Sequence, residues 1–379
     1  MSKVAIKKCL DYTEKDIRDA IKQIFLLLDL KRSIRPKMKV LLKPNLLTAL
    51  KPEKGATTHP LIVKAIAEEV KALGAHPFIG DSPGGTGASY EKILKATGMK
   101  ALGIPIVDFE ERGMRKLANP GSRIDPIYIS NIVLDADLMI NIPKFKTHEL
   151  TTITCGIKNL FGCVPGLNKV NYHLAAPDQE GFSSLIVDLY EKIRPSITII
   201  DAIQAMEGQG PTNGKLRELG LIVASTDTLA ADAICSYIVG FEPLKIPTTR
   251  IAYERKLGEA DINKIELVGD PVGRIDKFIP PATGFTSLVS KIPRPLLHII
   301  KPLTGMIKIR PGINKKKCVK CMMCVNSCPV GAIDRTQFKI DKNKCIMCFC
   351  CRELCKYGAV ELKENILWKM IYKIAEILT

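Results

Sequence analysis

The chain has 379 residues, 46% hydrophobic and 25% charged, which gives room for two or three domains with a well-buried core. Its 56 Lys and Arg against 39 Asp and Glu give a formal +17, but no nucleic-acid-binding motif goes with that charge and only one Trp is present. The N-terminal residues hold no apolar core of signal-peptide length, and no apolar run nears the ~20 residues that cross a bilayer, so neither a leader nor a transmembrane segment is expected.

Residues 1 to about 280 alternate short β-rich runs with helical stretches. Val4 to Ile6 reads as a strand, and Thr13 is placed to cap a helix whose Ile17, Ile21, Ile24 and Leu28 share a face. Lys39 to Leu42 is a strand ending in Lys43-Pro-Asn45, and Pro60 suits the first turn of the next helix. Pro77 to Gly80 is a strand that runs into a Gly-rich loop, Asp81 to Gly87, expected to open a helix. Ile104 to Val107 and Leu138 to Ile140 read as further strands, the second opening into Asn141-Ile-Pro-Lys-Phe-Lys-Thr-His148. A Gly-rich segment from Cys155 to Gly166 follows, then a helix over 183–193, a strand over 197–200, a strand over 221–223, a helix over 228–239 and a strand over 265–268. The expected fold is α/β, a mostly parallel sheet with helices on both faces.

Prolines punctuate 281–312, which reads as a linker. Next come Cys318-x2-Cys321-x2-Cys324-x3-Cys328 and Cys345-x2-Cys348-x2-Cys351-x3-Cys355, offset by 27 residues. This doubled spacing resembles that of bacterial-type ferredoxins, in which three close cysteines hold one cube and the fourth reaches across to the other. The resemblance implies a small α+β twin-cubane domain over 313–363. Cys318, Cys321, Cys324 and Cys355 hold one [4Fe-4S] cluster, and Cys345, Cys348, Cys351 and Cys328 the other. Lys356 stands where the first set has Pro329, and Cys350 is a ninth cysteine beside Cys351. The repeated tails Pro329-Val-Gly-Ala-Ile333 and Lys356-Tyr-Gly-Ala-Val360 favour Cys351 as the ligand. A zinc ribbon fits poorly, because its ligands come in two pairs. With two oxidised clusters the net charge drops to roughly +13. The thirteen cysteines point to a reducing cytoplasm rather than disulfides. Residues 364–379 form an amphipathic pattern with Ile366, Met370, Ile374 and Ile377 near one stripe.

In open α/β sheets ligands bind beyond the carboxyl ends of the strands, where this chain places its unusual residues. Lys43, Asn45, Asp81, Ser82, Gly84, Gly85, Lys158 and Asn159 are the expected anion- or substrate-binding set. Lys144, Lys146 and His148 are the candidate catalytic groups. Lys144 and Lys146, two apart on an extended segment, share a side and with Lys158 would clamp an anion. The alternative is three solvated lysines.

Together, Lys43-Pro-Asn45, Asp81-Ser-Pro, Asn141 to His148, Gly156-Ile-Lys-Asn-Leu-Phe-Gly162 and Glu207-Gly-Gln-Gly-Pro211 resemble the domain-of-unknown-function family 362, whose members often end in a twin-cubane module. The resemblance implies one site built from these loops and names no substrate. The expected function is an iron–sulfur oxidoreductase that moves single electrons to or from an anionic substrate or cofactor on the α/β domain. The competing expectation is a ferredoxin-like carrier or assembly factor whose α/β domain only docks. The cluster segment, with 11 basic and four acidic residues, favours an acidic redox partner such as a ferredoxin or flavodoxin.

Overall fold

The structure is a computed structural model and describes residues 1–84, 88–166, 168–275, 277–281 and 310–363. Gly85, most of the expected linker and the expected tail helix lie outside the described residues.

Fourteen strands are described. In chain order they are β1 (Ser2–Lys8), β2 (Lys39–Pro44), β3 (His76–Asp81), β4 (Ile106–Asp108), β5 (Met114–Leu117), β6 (Ile127–Ser130), β7 (Leu138–Ile142), β8 (Lys144–His148), β9 (Thr152–Thr154), β10 (Ile197–Glu207), β11 (Lys215–Ser225), β12 (Ile265–Gly269), β13 (Arg310–Ile313) and β14 (Val360–Lys363). The main sheet runs β12-β1-β11-β10-β7-β2-β3-β4, with β8 joined to β10 and β9 to β8. Along that path β11 runs antiparallel to both neighbours and every other pairing is parallel, so the sheet is mostly parallel. Strands β5 and β6 form a separate hairpin.

Alternation along the strands feeds two cores. Val4, Ile6 and Leu41 face one, while Ala5, Val40 and Leu42 face the other. The helices Glu14–Leu27 and Pro60–Ala72 cover the second face through Ile17, Ile21, Ile24, Ile62 and Ile66. The helices Gln179–Ile193 and Thr228–Ile238 cover the first through Leu185, Leu189, Ala230 and Ile234. The first helix starts as its sequence predicts, with Thr13 Oγ1 accepting from Asp16 N at 3.2 Å.

The helix expected from the Gly-rich loop begins later, at Tyr90, and runs only to Ala96; Ser89 caps it. The segment Lys144 to His148, which reads as a polar loop, is strand β8, and all five of its residues are buried.

The cysteine-rich part is closed by the antiparallel pair β13 and β14. Its two halves repeat in backbone detail. Left-handed φ values occur at Lys320 (53°) and Met322 (64°), and 27 positions on at Met347 (58°) and Phe349 (57°). Short helices follow at Met323–Asn326 and Cys350–Glu353. Ala332 N donates to Cys328 Sγ and Ala359 N to Cys355 Sγ, each at 3.2 Å.

Candidate functional site at the seam

The carboxyl ends of β2 and β3 bring Lys43 and Asp81 together. Lys43 Nζ lies 2.7 Å from Asp81 Oδ1, with side-chain exposures of 0% and 3%. Asp81 Oδ2 accepts from Leu46 N at 3.0 Å. Gly162 closes over this pair: a Cβ there would fall 2.1 Å from Asp81 Oδ1 and 2.6 Å from Lys43 Nζ. The glycine is thus required by close approach.

Beside the pair runs a chain of amides. Asn45 Nδ2 donates to Asn159 Oδ1 at 3.0 Å, Asn159 Nδ2 to Asn141 Oδ1 at 2.8 Å, and Asn141 Nδ2 to Gly156 O at 2.9 Å. Lys146 Nζ joins it at Asn45 Oδ1, 2.9 Å away, and also reaches Ala56 O. With no carboxylate against it, burial drives the Lys146 ammonium pKa well down, and the charges of Lys158 and Lys144 push the same way.

Lys144 points elsewhere. Its ammonium sits 3.0 Å from Asp201 Oδ2 and 2.5 Å from the Tyr12 hydroxyl, which donates to Asp201 Oδ1 at 2.7 Å. The expected clamp is therefore not assembled. Lys144 is neutralised inside the protein, Lys146 is held by Asn45, and of the three only Lys158 lines the cavity described next. His148 accepts from the amides of Leu150 and Thr151 at Nδ1, so Nε2 carries the proton in the neutral ring; it lies 3.1 Å from Glu353 Oε1. Burial lowers the His148 pKa, and the Glu353 carboxylate opposes that shift.

A cavity of about 370 Å³ opens where the α/β part meets the cysteine-rich part. Lys43, Asn45, Asp81, Ser82, Gly84, Lys158 and Asn159 all line it, so one site gathers the described members of the expected binding set. The opposite wall is Asn326, Ser327, Cys350, Glu353 and Leu354. Lys169 and His173, on the helix Asn168–Ala175, complete it. Lys169 bonds Ser82 O and Oγ at 2.7 and 2.6 Å, and burial lowers its pKa to about 8. No motif marks the wall residues from the cysteine-rich part, which are remote in sequence from the rest.

The two parts are pinned together around this cavity. Arg352 is ion-paired with Glu149, both buried. Thr212 Oγ1 donates to Glu353 O at 3.1 Å, and Phe349 lies in the core of the α/β part, 5% exposed.

The eight spaced cysteines line two further cavities. Cys318, Cys321, Cys324 and Cys355 ring one; Cys328, Cys345, Cys348 and Cys351 ring the other. Among the described residues no group of three or more His, Cys, Asp or Glu is placed to hold a single metal ion. Four thiols around each apolar-walled cavity fit a multi-iron cluster. Cys350 lines the seam cavity and neither ring's cavity, and its side chain is hydrogen-bonded to Cys348 of the second ring.

Two histidines predict a pH effect. Burial lowers His59 and His173 to about 4 from an ordinary 6.5. Between those values the unfolded chain binds more protons, so stability is full above pH 6.5 and is lost as pH falls towards 4. The slope is up to about 1.4 kcal/mol per unit for each ring. Urea midpoints at a series of pH values check this, and His173→Phe should flatten the profile.

The domain of unknown function DUF362 is matched over residues 40–237, more than half the chain, and the 4Fe-4S binding domain over 311–334. A thylakoid-associated protein of Synechocystis sp. is 41% identical over 230 residues, covering 59% of this chain and 70% of that protein. The lactate racemase apoprotein from Thermoanaerobacterium thermosaccharolyticum aligns with a TM-score of 0.40 and 13% identity, over 63% of this chain and 57% of that one, under two thirds of its length. No helix among the described residues is long and apolar enough to cross a membrane.

Proposed function

The chain belongs to the DUF362 family and carries a 4Fe-4S binding domain, and from that premise we propose that it is an oxidoreductase passing single electrons between a protein carrier and an anionic small molecule in the seam cavity. Two [4Fe-4S] clusters, one in each cysteine ring, supply one-electron steps when bound. The observation that carries the reading is the shared wall. The short helix Cys350–Glu353 presents Cys351 to the second ring and Cys350 and Glu353 to the seam cavity.

The chain's own residues divide the task. The buried Arg352–Glu149 pair and Phe349 hold the second ring rigidly beside the cavity. The first ring reaches the surface: Cys321 is exposed, and Val319 and Tyr357 are 56% and 43% exposed. Exposed Lys315, Lys316, Lys317, Lys320 and Lys356 neighbour its cysteines in sequence, which suits an acidic ferredoxin or flavodoxin. Thirteen free cysteines belong in a reducing compartment, the cytoplasm.

The test begins with anaerobic purification, iron and sulfide counts, and mass spectrometry of whatever co-purifies. Reduction by an acidic ferredoxin is expected to slow steeply as salt rises, because exposed charges are screened beyond ~10 Å at 0.1 M. A flat salt response would count against the lysine-rich edge as the docking face. A protein without clusters would end the electron-transfer reading.

A further inference from the structure

Resting on the reading that the seam cavity holds the anionic ligand, we infer that this ligand is a small organic monocarboxylate with a planar or apolar body, its carboxylate seated against Lys158 and Ser327. Lys158 is the lining lysine with no hydrogen-bonded partner among the described residues; burial lowers its pKa and the Glu353 carboxylate opposes that shift. Its ammonium lies 4.9 Å over the Phe161 ring. By contrast, Lys43 is taken by Asp81, and Lys169 by Ser82.

Three further polar atoms of the cavity-lining residues, Ser327 Oγ, His173 Nδ1 and Glu353 Oε1, are buried without a hydrogen bond; Glu353 Oε1 faces His148 Nε2 at 3.1 Å, which leaves Ser327 and His173, only 6% exposed, to meet a ligand. Each such atom is costly while unpaired, so a ligand oxygen that reaches them is favoured beyond its charge alone. Ser327 donates through its hydroxyl, and His173 donates in its Nδ1–H tautomer.

The charge of the walls selects among anions. Three lysines, Lys43, Lys158 and Lys169, face four carboxylates, Asp81, Asp108, Glu110 and Glu353. A phosphate dianion entering here meets no net positive field and finds one ammonium without a hydrogen-bonded partner. A monoanion matches that single cation. Among the remaining lining residues Leu47, Ile93, Phe161 and Leu354 offer apolar surface to a ring or chain. The volume, about 370 Å³, lies within the range of small-molecule sites.

The test uses the full-length holoprotein, kept anaerobic, titrated calorimetrically with benzoate, with the neutral isostere benzamide and with inorganic phosphate. Benzoate is expected to bind saturably and about tenfold or more tighter than benzamide, the effect of a charge-assisted hydrogen bond. Lys158→Met should weaken benzoate by about the same factor and leave benzamide unchanged. The wild-type comparison of benzoate with benzamide needs no variant and stands even if Lys158→Met folds poorly. Equal binding of benzoate and benzamide, tighter binding of phosphate, or no binding of benzoate by protein with intact clusters would overturn the carboxylate assignment. Iron counts on the same samples separate this outcome from the wider reading, which fails only if the clusters are missing or cannot be reduced.

Discussion

Cys351→Ala is expected to cost the holoprotein one of two clusters, lowering iron from roughly eight to roughly four atoms per chain, whereas Cys350→Ala keeps both. The two residues are adjacent, and the spacing Cys348-x2-Cys351, which matches Cys321-x2-Cys324, favours Cys351. Backbone repetition supports the same register. Met322 and Phe349 both adopt left-handed φ directly after the second cysteine of each set, at 64° and 57°. Each begins a short helix whose second residue is Cys324 in one half and Cys351 in the other. Cys350 is therefore the counterpart of Met323, not of a ligand. Placement agrees, since Cys351 lines the ring of Cys328, Cys345 and Cys348 while Cys350 lines the seam cavity. Iron and sulfide counts with electron paramagnetic resonance of the reduced protein distinguish the outcomes. Loss of a cluster in Cys350→Ala and retention of both in Cys351→Ala would reverse the register.

The cysteine pattern was legible in the sequence because ligand spacing is a local property and the cluster geometry fixes it. The outer strands and helices were legible for the same kind of reason: Thr13 caps, Pro60 opens, and Ile17, Ile21 and Ile24 recur at helical period. The burial of strand β8 was not. Lys144, Lys146, Thr147 and His148 could be extended, but their polarity fits solvent equally well, and only distant partners make their burial possible. Lys144 has Asp201, Lys146 has Asn45 and His148 has Glu353. The same distance hid the site's second wall. Lys43, Asp81 and Lys158 stood out beside buried strands, but Ser327 and Glu353 gain meaning only once the cysteine-rich part folds back over them. The antiparallel insertion of β11 between β1 and β10 was equally unreadable, because pairing direction leaves no mark on alternation.

Asp81→Asn is expected to destabilise the holoprotein by about 3–5 kcal/mol, because it strands the buried Lys43 charge. The asparagine oxygen keeps an acceptor for Leu46 N, so the loss is mainly that of the counter-charge. Gly162 presses on the pair so closely that no side chain fits there. Two apolar residues of similar volume would remove both desolvation costs at once, so Lys43→Met with Asp81→Leu should recover most of the stability. Urea unfolding of the two single variants and the double variant gives the coupling energy. The pair is placed at the wall of the seam cavity, where stability alone gives no reason to bury two charges. The double variant should therefore fold with its clusters intact yet bind benzoate more weakly than the parent, since it removes the fixed dipole and reshapes the wall beside Lys158. If Asp81→Asn costs less than 1 kcal/mol, roughly the worth of an exposed pair, then Lys43 and Asp81 are open to solvent and cannot set the shape of the site.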